Sequence, residues 1–341
     1  MSSFRISRAV ALILAVLCAA LAFGQTSSVP FVTRVFTLTQ TFAPDAIEAV
    51  ATAVRGIDNL QQAPADAVQK TITVQGTAEQ VFLADCLIRA LDLAVLAAQP
   101  VQCNGLNGDQ VRIVYAGSDM SQASLTEALQ AARLMAGAQY AYSVKSANAV
   151  VVRGTPEQAE IVEWVVQTVS SAGPLPSLSQ YPGSGSDVVQ VVHLTNTRTA
   201  LRLAEILNAS RLISGVQQMM TNIERSDIVL RGSADQAALA YWLIQTLDKP
   251  SDWKPAAGLA IESYQYPESP LERIGRSVRV FILDPAYVQQ GNTLLNAIRL
   301  ATGTQIIMPV SSLPAIVMRG TEEQTSAAEG LMKERISHPA K

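Results

Sequence analysis

Four short stretches of the chain are near-copies of one another: QGTAEQ at 75–80, RGTPEQ at 153–158, RGSADQ at 231–236 and RGTEEQ at 319–324. Each copy follows an apolar run that is typical of a β-strand and precedes a run with helical periodicity. The glycines of successive copies are 78, 78 and 88 residues apart. A recurring period of this size predicts tandem small domains.

The composition of the repeated motif predicts a connection from a strand to a helix. Glycine permits a tight turn, Thr or Ser is a preferred helix N-cap, and Gln three residues later completes a capping box. The Glu or Asp between them places negative charge at the positive end of the helix. The predicted structural residues are Gly76, Thr77, Gln80, Gly154, Thr155, Gln158, Gly232, Ser233, Gln236, Gly320, Thr321 and Gln324.

The residue that opens the motif is arginine in three copies. Arg153, Arg231 and Arg319 are candidates for a surface that binds a partner, and a purely structural role is the alternative. The first copy has Gln75 at this position and serves as a natural control.

The apolar pattern around the motifs predicts an α+β protein of four tandem units, each in the order strand, helix, strand, strand, helix (βαββα). Each unit is expected to form a three-stranded sheet with both helices on one face. The first unit is divergent, with a weak strand near Leu60 and a loop at 63–67. The predicted units are 25–92, 111–170, 188–248 and 278–337. The predicted linkers are 93–110, the flexible Gly-, Ser- and Pro-rich segment 171–187 and the long segment 249–277, and a tail covers 338–341.

The first residues have the pattern of a secretory signal peptide. Arg5 and Arg8 precede an uncharged run of 15 residues from Ala9 to Phe23, which is shorter than the roughly 20 residues of a membrane-spanning helix. We expect residues 1–24 to be removed after Gly24 and the chain to be exported to the periplasm, with no transmembrane span in the mature protein. An uncleaved anchor is the alternative.

The charge balance argues against binding to nucleic acid. The chain has 25 basic and 28 acidic residues, and removal of Arg5 and Arg8 leaves 23 against 28. A negative mature protein is a poor match for a phosphate backbone. The KH type of RNA-binding domain also contains βαββα elements, but it needs a basic G-x-x-G loop between helices, and the sequence has none.

Two cysteines remain after removal of the signal peptide. Cys86 and Cys103 are candidates for a disulfide in an oxidising compartment. The bond would close a loop of 18 residues, counted from Cys86 to Cys103, and would contribute roughly 3 kcal/mol on the chain-entropy account. The sequence leaves the pairing open, because it does not reveal the geometry.

The sequence contains no recognisable catalytic constellation. It has neither a P-loop nor a G-x-S-x-G or G-x-G-x-x-G motif, and its two histidines, His193 and His338, belong to no metal-ligand spacing. We therefore expect no catalytic residues, no cofactor and no metal. The alternative is a protein that binds a small ligand, or an enzyme, with a site between units and the segment 249–277 as a lid.

The third unit carries residues that resemble those of a known family. Its first strand reads VVHLTN at 191–196, its hairpin ends in DIVLRGS at 227–233, and its second helix ends in Leu247-Asp248. These features resemble the small βαββα N-domains of bacterial secretins, the outer-membrane channels of type II and type III secretion and of type IV pili. The second and fourth units match more loosely, and the first keeps mainly its second half, which ends in Leu91-Asp92.

The resemblance implies a non-catalytic scaffold or oligomerisation module in the periplasm. Such a module would bind a secretin or another secretion or pilus component, or would self-associate, and a partner would connect it to the outer membrane. Secretins continue into a β-rich channel domain, whereas this sequence ends at Lys341 just after the fourth unit. A pore is therefore not expected from this chain alone.

Overall fold

The structure is a computed structural model that describes residues 30–92, 99–117, 120–171, 176–183, 185–250, 252–256, 258–267 and 275–337. The predicted signal peptide (1–24) and the tail that contains His338 lie outside the described residues.

The chain forms four units with the predicted order of helices and strands. Unit 1 contains β1 (Val32–Thr37), α1 (Pro44–Asp58), β2 (Ala65–Asp66), β3 (Thr71–Gly76) and α2 (Ala78–Asp92). Unit 2 contains β4 (Val101–Asn104), β5 (Gln110–Tyr115), α3 (Gln122–Ala136), β6 (Tyr140–Val144), β7 (Ala149–Gly154) and α4 (Pro156–Ser170). Unit 3 contains β8 (Leu178–Gln180), β9 (Asp187–His193), α5 (Ala200–Ser214), β10 (Gln218–Asn222), β11 (Asp227–Ser233) and α6 (Ala234–Leu247). Unit 4 contains β12 (Leu259–Gln265), β13 (Ser277–Leu283), α7 (Gly291–Thr302), β14 (Ile306–Val310), β15 (Ala315–Gly320) and α8 (Glu322–Ser337).

Three of the four sheets gain a strand from a segment that the sequence predicts as a linker. Unit 1 has the three-stranded antiparallel sheet β1-β3-β2. The sheets of the other units have the orders β4-β5-β7-β6, β8-β9-β11-β10 and β12-β13-β15-β14. The added edge strands β4, β8 and β12 lie in the segments 93–110, 171–187 and 249–277. The second segment therefore contains a strand, β8, and the third contains β12, which pairs with β13 along seven residues.

One element of unit 1 differs from its prediction. Leu60 belongs to no strand but follows the end of α1, where it is buried. The second strand of the sheet is instead Ala65–Asp66, inside the predicted loop, and it pairs with β3. Residue Asn59 ends α1 in the left-handed conformation, so the chain turns before it can extend.

The units stack as alternating layers of sheet and helix. The helices of unit 1 share one apolar cluster with Val111, Ile113 and Val151 from the sheet of unit 2. The helices of unit 2 pack in the same way on the sheet of unit 3, and those of unit 3 on the sheet of unit 4. Each sheet from unit 2 onward is therefore covered on one face by its own helices and on the other by the helices of the preceding unit.

The composition of the strands follows from this layering. A strand that is buried on both faces has a continuous apolar run, and β7 begins AVVV, with Ala149–Val152 all fully buried. The equivalent strand of unit 1 reads TITV at 71–74 and alternates between half-buried and fully buried residues. No other helix pair covers the outer face of this sheet in the described part of the chain, and threonine is suited to a half-exposed strand face.

Val229 and Thr73 test this layering, because both lie on the outer face of their sheets, two residues before the first motif position. Val229 is fully buried against unit 2, whereas Thr73 is partly exposed. We predict that Val229→Thr lowers the free energy of unfolding by about 1–2 kcal/mol, because it buries a hydroxyl between two layers. The matched change Thr73→Val should alter it by less than about 0.5 kcal/mol. Urea unfolding followed by circular dichroism measures both, and equal effects would contradict the layering.

Candidate functional site at the joints between units

The Thr or Ser and the Gln of the motif form the same pair of hydrogen bonds in all four copies. In unit 2, the backbone N–H of Gln158 donates to Thr155 Oγ1 at 3.2 Å, and the backbone N–H of Thr155 donates to Gln158 Oε1 at 3.0 Å. The other copies repeat this arrangement at 2.9–3.3 Å. Each copy is thus a capping box that begins the second helix of its unit.

The glutamine also ties the two helices of its unit together, a role that the sequence analysis missed. Its side-chain Nε2 donates to a backbone carbonyl at the end of the first helix, as Gln158 does to Gly137 at 3.1 Å and Gln324 to Thr302 at 2.9 Å. Gln80 and Gln236 make the same bond to Asp58 and Gly215. This bond satisfies one of the carbonyls that every helix leaves open at its C-terminus.

The motif glycine is explained by this glutamine rather than by a special backbone conformation. None of the four motif glycines has a positive φ. A Cβ atom on Gly154 would lie 2.5 Å from Gln158 Oε1, and one on Gly320 would lie 2.7 Å from Gln324 Oε1. Only glycine leaves room for the glutamine amide to reach the cap.

The Gln158 side chain therefore carries two hydrogen bonds that hold the helices of unit 2. We predict that Gln158→Ala lowers the free energy of unfolding by about 1–2 kcal/mol, because the cap N–H and the helix carbonyl both lose a partner. The control is Gln167→Ala on the same helix, which removes a single exposed contact to Glu163. Thermal unfolding measures both variants, and equal losses would argue against the clamp.

The three motif arginines bind the preceding unit of the same chain. The Nη1 of Arg153 donates to the carbonyl of Ile57 at 3.1 Å, at the end of α1. Arg231 and Arg319 repeat the contact with the carbonyls of Met135 at 2.7 Å and Ile213 at 2.9 Å. A guanidinium is well placed there, because the C-terminus of a helix carries partial negative charge.

Other contacts fix the orientation of each guanidinium. The Nε of Arg153 donates to Asp109 Oδ2 at 2.8 Å, and Arg319 donates to the carbonyl of Gly275 at 3.0 Å. The Arg319 guanidinium also lies over the ring of Tyr266, 4.2 Å from its centre. Arg153 and Arg319 are only 9 % and 6 % exposed, and all three arginines contact the chain's own preceding unit.

A second contact recurs at each joint, nine residues after the N-cap. This position holds Cys86 in α2, Trp164 in α4 and Trp242 in α6. Trp164 packs edge-on against Tyr181 with ring centres 5.8 Å apart, and Trp242 packs against Tyr264 at 5.2 Å. At the first joint the same place is taken by a disulfide between Cys86 and Cys103, whose Cα atoms are 6.1 Å apart.

The strand register shows that these three contacts are equivalent. In unit 2, Cys103 lies opposite Val111, which in turn lies opposite Arg153. In unit 4, Tyr264 lies opposite Val278, which in turn lies opposite Arg319. The backbone N–H of Tyr181 donates to the carbonyl of Val189, which lies opposite Arg231. The strands β4 and β12, and the residue that directly follows β8, thus each contact the second helix of the preceding unit.

A glutamate completes the second and third joints. Glu127 of α3 accepts a hydrogen bond from the backbone N–H of Ile223 at 2.7 Å, in the hairpin of unit 3. Glu205 of α5 accepts one from Ser312 of unit 4 at 2.8 Å. Each glutamate lies eight residues before the residue whose carbonyl binds the motif arginine. The corresponding residue is Ala49 in α1 and Thr293 in α7.

The two ends of the stack lack these joint residues. Unit 1 has Gln75 where the other units have arginine, and unit 4 has Gly330 at the Trp position and Thr293 at the Glu position. A Cβ on Gly330 would meet no atom within 4 Å. Among the described residues, no neighbouring unit lies against these positions of units 1 and 4.

The Leu-Asp pair that ends α2 and α6 has a structural role. Asp92 accepts hydrogen bonds from the backbone N–H groups of Thr39, Gln40 and Thr41 at 2.6–3.0 Å. Burial by itself would raise the pKa of Asp92, but these bonds hold it below its usual value. Asp248 receives the corresponding bonds from the loop at 195–197. Asp92 thus anchors the loop between β1 and α1, and Asp248 anchors the loop between β9 and α5.

His193 pairs with a buried carboxylate across two neighbouring strands. Its Nδ1 lies 2.7 Å from Asp227 Oδ1, and burial raises the pKa of Asp227 although His193 opposes the rise. The two residues face each other in the β9–β11 register at the end of the sheet. Among the described residues, no group of three His, Cys, Asp or Glu side chains could hold a metal ion. No helix in this part of the chain is long and apolar enough to cross a membrane.

Comparison with known proteins yields only structural matches of low identity. No family model and no curated protein matches the chain. ExeD of Aeromonas hydrophila matches with 16 % identity and a TM-score of 0.16, over 65 % of this chain and 42 % of its own. The N-terminal domain of the secretin XcpQ from Pseudomonas aeruginosa matches with 16 % identity and a TM-score of 0.24, over 64 % of this chain and 100 % of its own. A trimeric microcompartment shell protein, MSM0271, matches with 15 % identity and a TM-score of 0.16, over 46 % and 86 %. Likeness at this level says nothing about what this chain binds.

The joint between units 3 and 4 offers a direct test of the arginine contact. We predict that Arg319→Gln, which introduces the residue of unit 1, lowers the free energy of unfolding by about 2–3 kcal/mol, because the buried Ile213 carbonyl loses a charged donor. The converse change Gln75→Arg should have little effect, since Gln75 is exposed on the outer sheet of the stack. Chemical unfolding compares the two, and a neutral Arg319→Gln would contradict the role assigned to the contact.

Proposed function

We propose that this chain is a non-catalytic scaffold of the bacterial periplasm, of the kind that secretin N-domains provide in secretion or pilus assembly. The observation that carries the proposal is the use of the repeated motif. Its glycine, Thr or Ser, and glutamine hold each unit together, and its arginine joins one unit to the next. The recurring polar side chains therefore build a stack, which supports an assembly role better than a chemical one.

The surface we propose for association is the free edge of β1 in unit 1. In units 2, 3 and 4 the equivalent edge is covered by β4, β8 and β12, whereas no strand within the described residues covers β1. Phe31, Val32 and Val35 at this edge are 69 %, 42 % and 58 % exposed. An uncovered apolar edge strand is a ready template for pairing with a strand of another chain.

The partner in this proposal is a second copy of the chain or an envelope protein such as a secretin. The proposal includes no nucleic acid, cofactor or metal. The excess of acidic residues supports the exclusion of nucleic acid. Export through the predicted signal peptide would deliver the chain to the periplasm. Mass spectrometry of the mature protein tests the predicted cleavage separately, since its first residue should be Gln25.

Light scattering and binding assays test the association. We expect residues 25–341 to self-associate, or to bind the secretin encoded in the same genome, and Val35→Lys to weaken that association at least about tenfold because it places a charge on the pairing strand. Val68→Lys is the matched control, since Val68 is 92 % exposed in the same unit but follows β2. A protein that stays monomeric and binds no secretin would overturn the proposal. Equal effects of Val35→Lys and Val68→Lys would show that the edge of β1 is not the association surface.

A further inference from the structure

The joint between units 1 and 2 differs from the other two in what holds it. All three share the contact between an arginine and a helix carbonyl. The other two joints add a Trp–Tyr pair and a glutamate that binds the next hairpin. The first joint has the Cys86–Cys103 disulfide in place of the aromatic pair and Ala49 in place of the glutamate. At the first joint, a covalent bond that a reductant can break thus takes the place of the non-covalent contacts of the other two joints.

A buried acidic group lies close to the first joint, at the end of α1. Asp58, the last residue of α1, is fully buried, and neither of its carboxyl oxygens has a hydrogen-bond partner. The equivalent residues at the other two joints are Ala136 and Ser214. An ionised carboxylate is unfavourable there, because it is buried and lies at the negative end of a helix.

The groups around Asp58 leave this carboxylate poorly compensated. The charge that acts on it from unit 2 is Arg153, which already binds Asp109 and the Ile57 carbonyl. The neutral amide of Gln80 in α2 binds the backbone carbonyl of Asp58 and not its carboxyl group. The basic residue of the last helical turn, Arg55, is exposed. Strand β6 brings the neutral phenols Tyr140 and Tyr142 to this region, one beside Arg153 and the other against Gly56.

Burial raises the pKa of Asp58 from 3.8 to about 7, and Arg153 opposes that rise. The docked joint therefore favours the protonated acid. Its stability is greatest below the ordinary pKa and is lost as the pH rises through about 7, where the carboxyl must ionise in place. Above that pH, the ionised carboxylate of Asp58 destabilises the docked protein.

We propose that the joint between units 1 and 2 is a redox-gated joint, which the Cys86–Cys103 disulfide holds closed and which opens at alkaline pH when that bond is reduced. A dithiol reductant supplies two electrons and two protons, breaks the S–S bond to give two thiols and becomes a disulfide itself. Unit 1 then separates as a folded body. Its departure uncovers the sheet face of unit 2 formed by Val111, Ile113 and Val151, which is otherwise fully buried. The inference does not depend on the association proposed above.

Small-angle X-ray scattering of residues 25–341 tests the gate with and without dithiothreitol at pH 6 and pH 8. We expect the radius of gyration of the reduced protein to rise by roughly a tenth at pH 8, since one of four packed units is released, and to rise less at pH 6. The oxidised protein should stay compact at both values. Hydrogen exchange of residues 71–92 shows whether unit 1 remains folded, and loss of protection there on reduction would overturn the proposal.

Three variants separate the contributions of the cysteines and of Asp58. The double variant Cys86→Ser, Cys103→Ser should behave like the reduced protein without any reductant. Asp58→Ser, which introduces the residue of unit 3, should keep the reduced protein compact at pH 8. The double variant Cys86→Trp, Cys103→Tyr introduces the contact of the other joints and should stay compact under all four conditions. A reduced wild-type protein that is as compact as the oxidised one at pH 8 would overturn the gate, even if this last variant fails to fold.

Discussion

Burial of a sheet on both faces is the constraint on which the rest of this structure depends. A βαββα unit of about 60 residues covers only one face of its sheet with its own helices, and a domain of that size is marginal by itself. From unit 2 onward, the helices of the preceding unit cover the other face, with valines and isoleucines such as Val111, Val191 and Val280 between the layers. Each unit is thus stabilised by its neighbour, as in repeat proteins whose stability is a sum of units and interfaces.

The polar side chains of the motif solve the hydrogen-bonding problem that this stacking creates. Helices that end against a neighbouring sheet leave carbonyl groups without partners, and the carbonyls of Ile57 and Ile213 are bound in buried positions. The glutamine of each motif binds one such carbonyl within its unit, and the arginine binds another across the joint. The motif therefore begins a helix and closes a unit in all four copies, and in three of them it also attaches the unit to the one before.

The variation among the three joints carries more information about function than their similarity. Two are held by aromatic pairs and a glutamate, contacts that contain no bond a reductant could break. The joint of unit 1 combines a disulfide with a buried aspartic acid. Unit 1 also presents an uncovered strand edge and several exposed apolar side chains, including Phe31 and Phe82. The features that respond to conditions and those suited to association thus lie in the same unit, while units 2, 3 and 4 form the more uniform part of the stack.

The sequence by itself determined the local structure of this protein. The four motifs, the apolar periods around them and the capping residues specify the order βαββα in each unit, because capping and periodicity act between residues a few positions apart. The layering also has a signal in the sequence, since TITV at 71–74 alternates whereas AVVV at 149–152 does not.

Only the tertiary structure decided which contacts form between units. The partners of Arg153 and Cys86 come from other units, 96 residues away at Ile57 and 17 away at Cys103. The strands β4 and β8 are short, and each pairs with the edge of a sheet whose other strands come later in the chain. Contacts of that kind depend on how the layers pack against one another, and a local pattern of residues does not encode that packing.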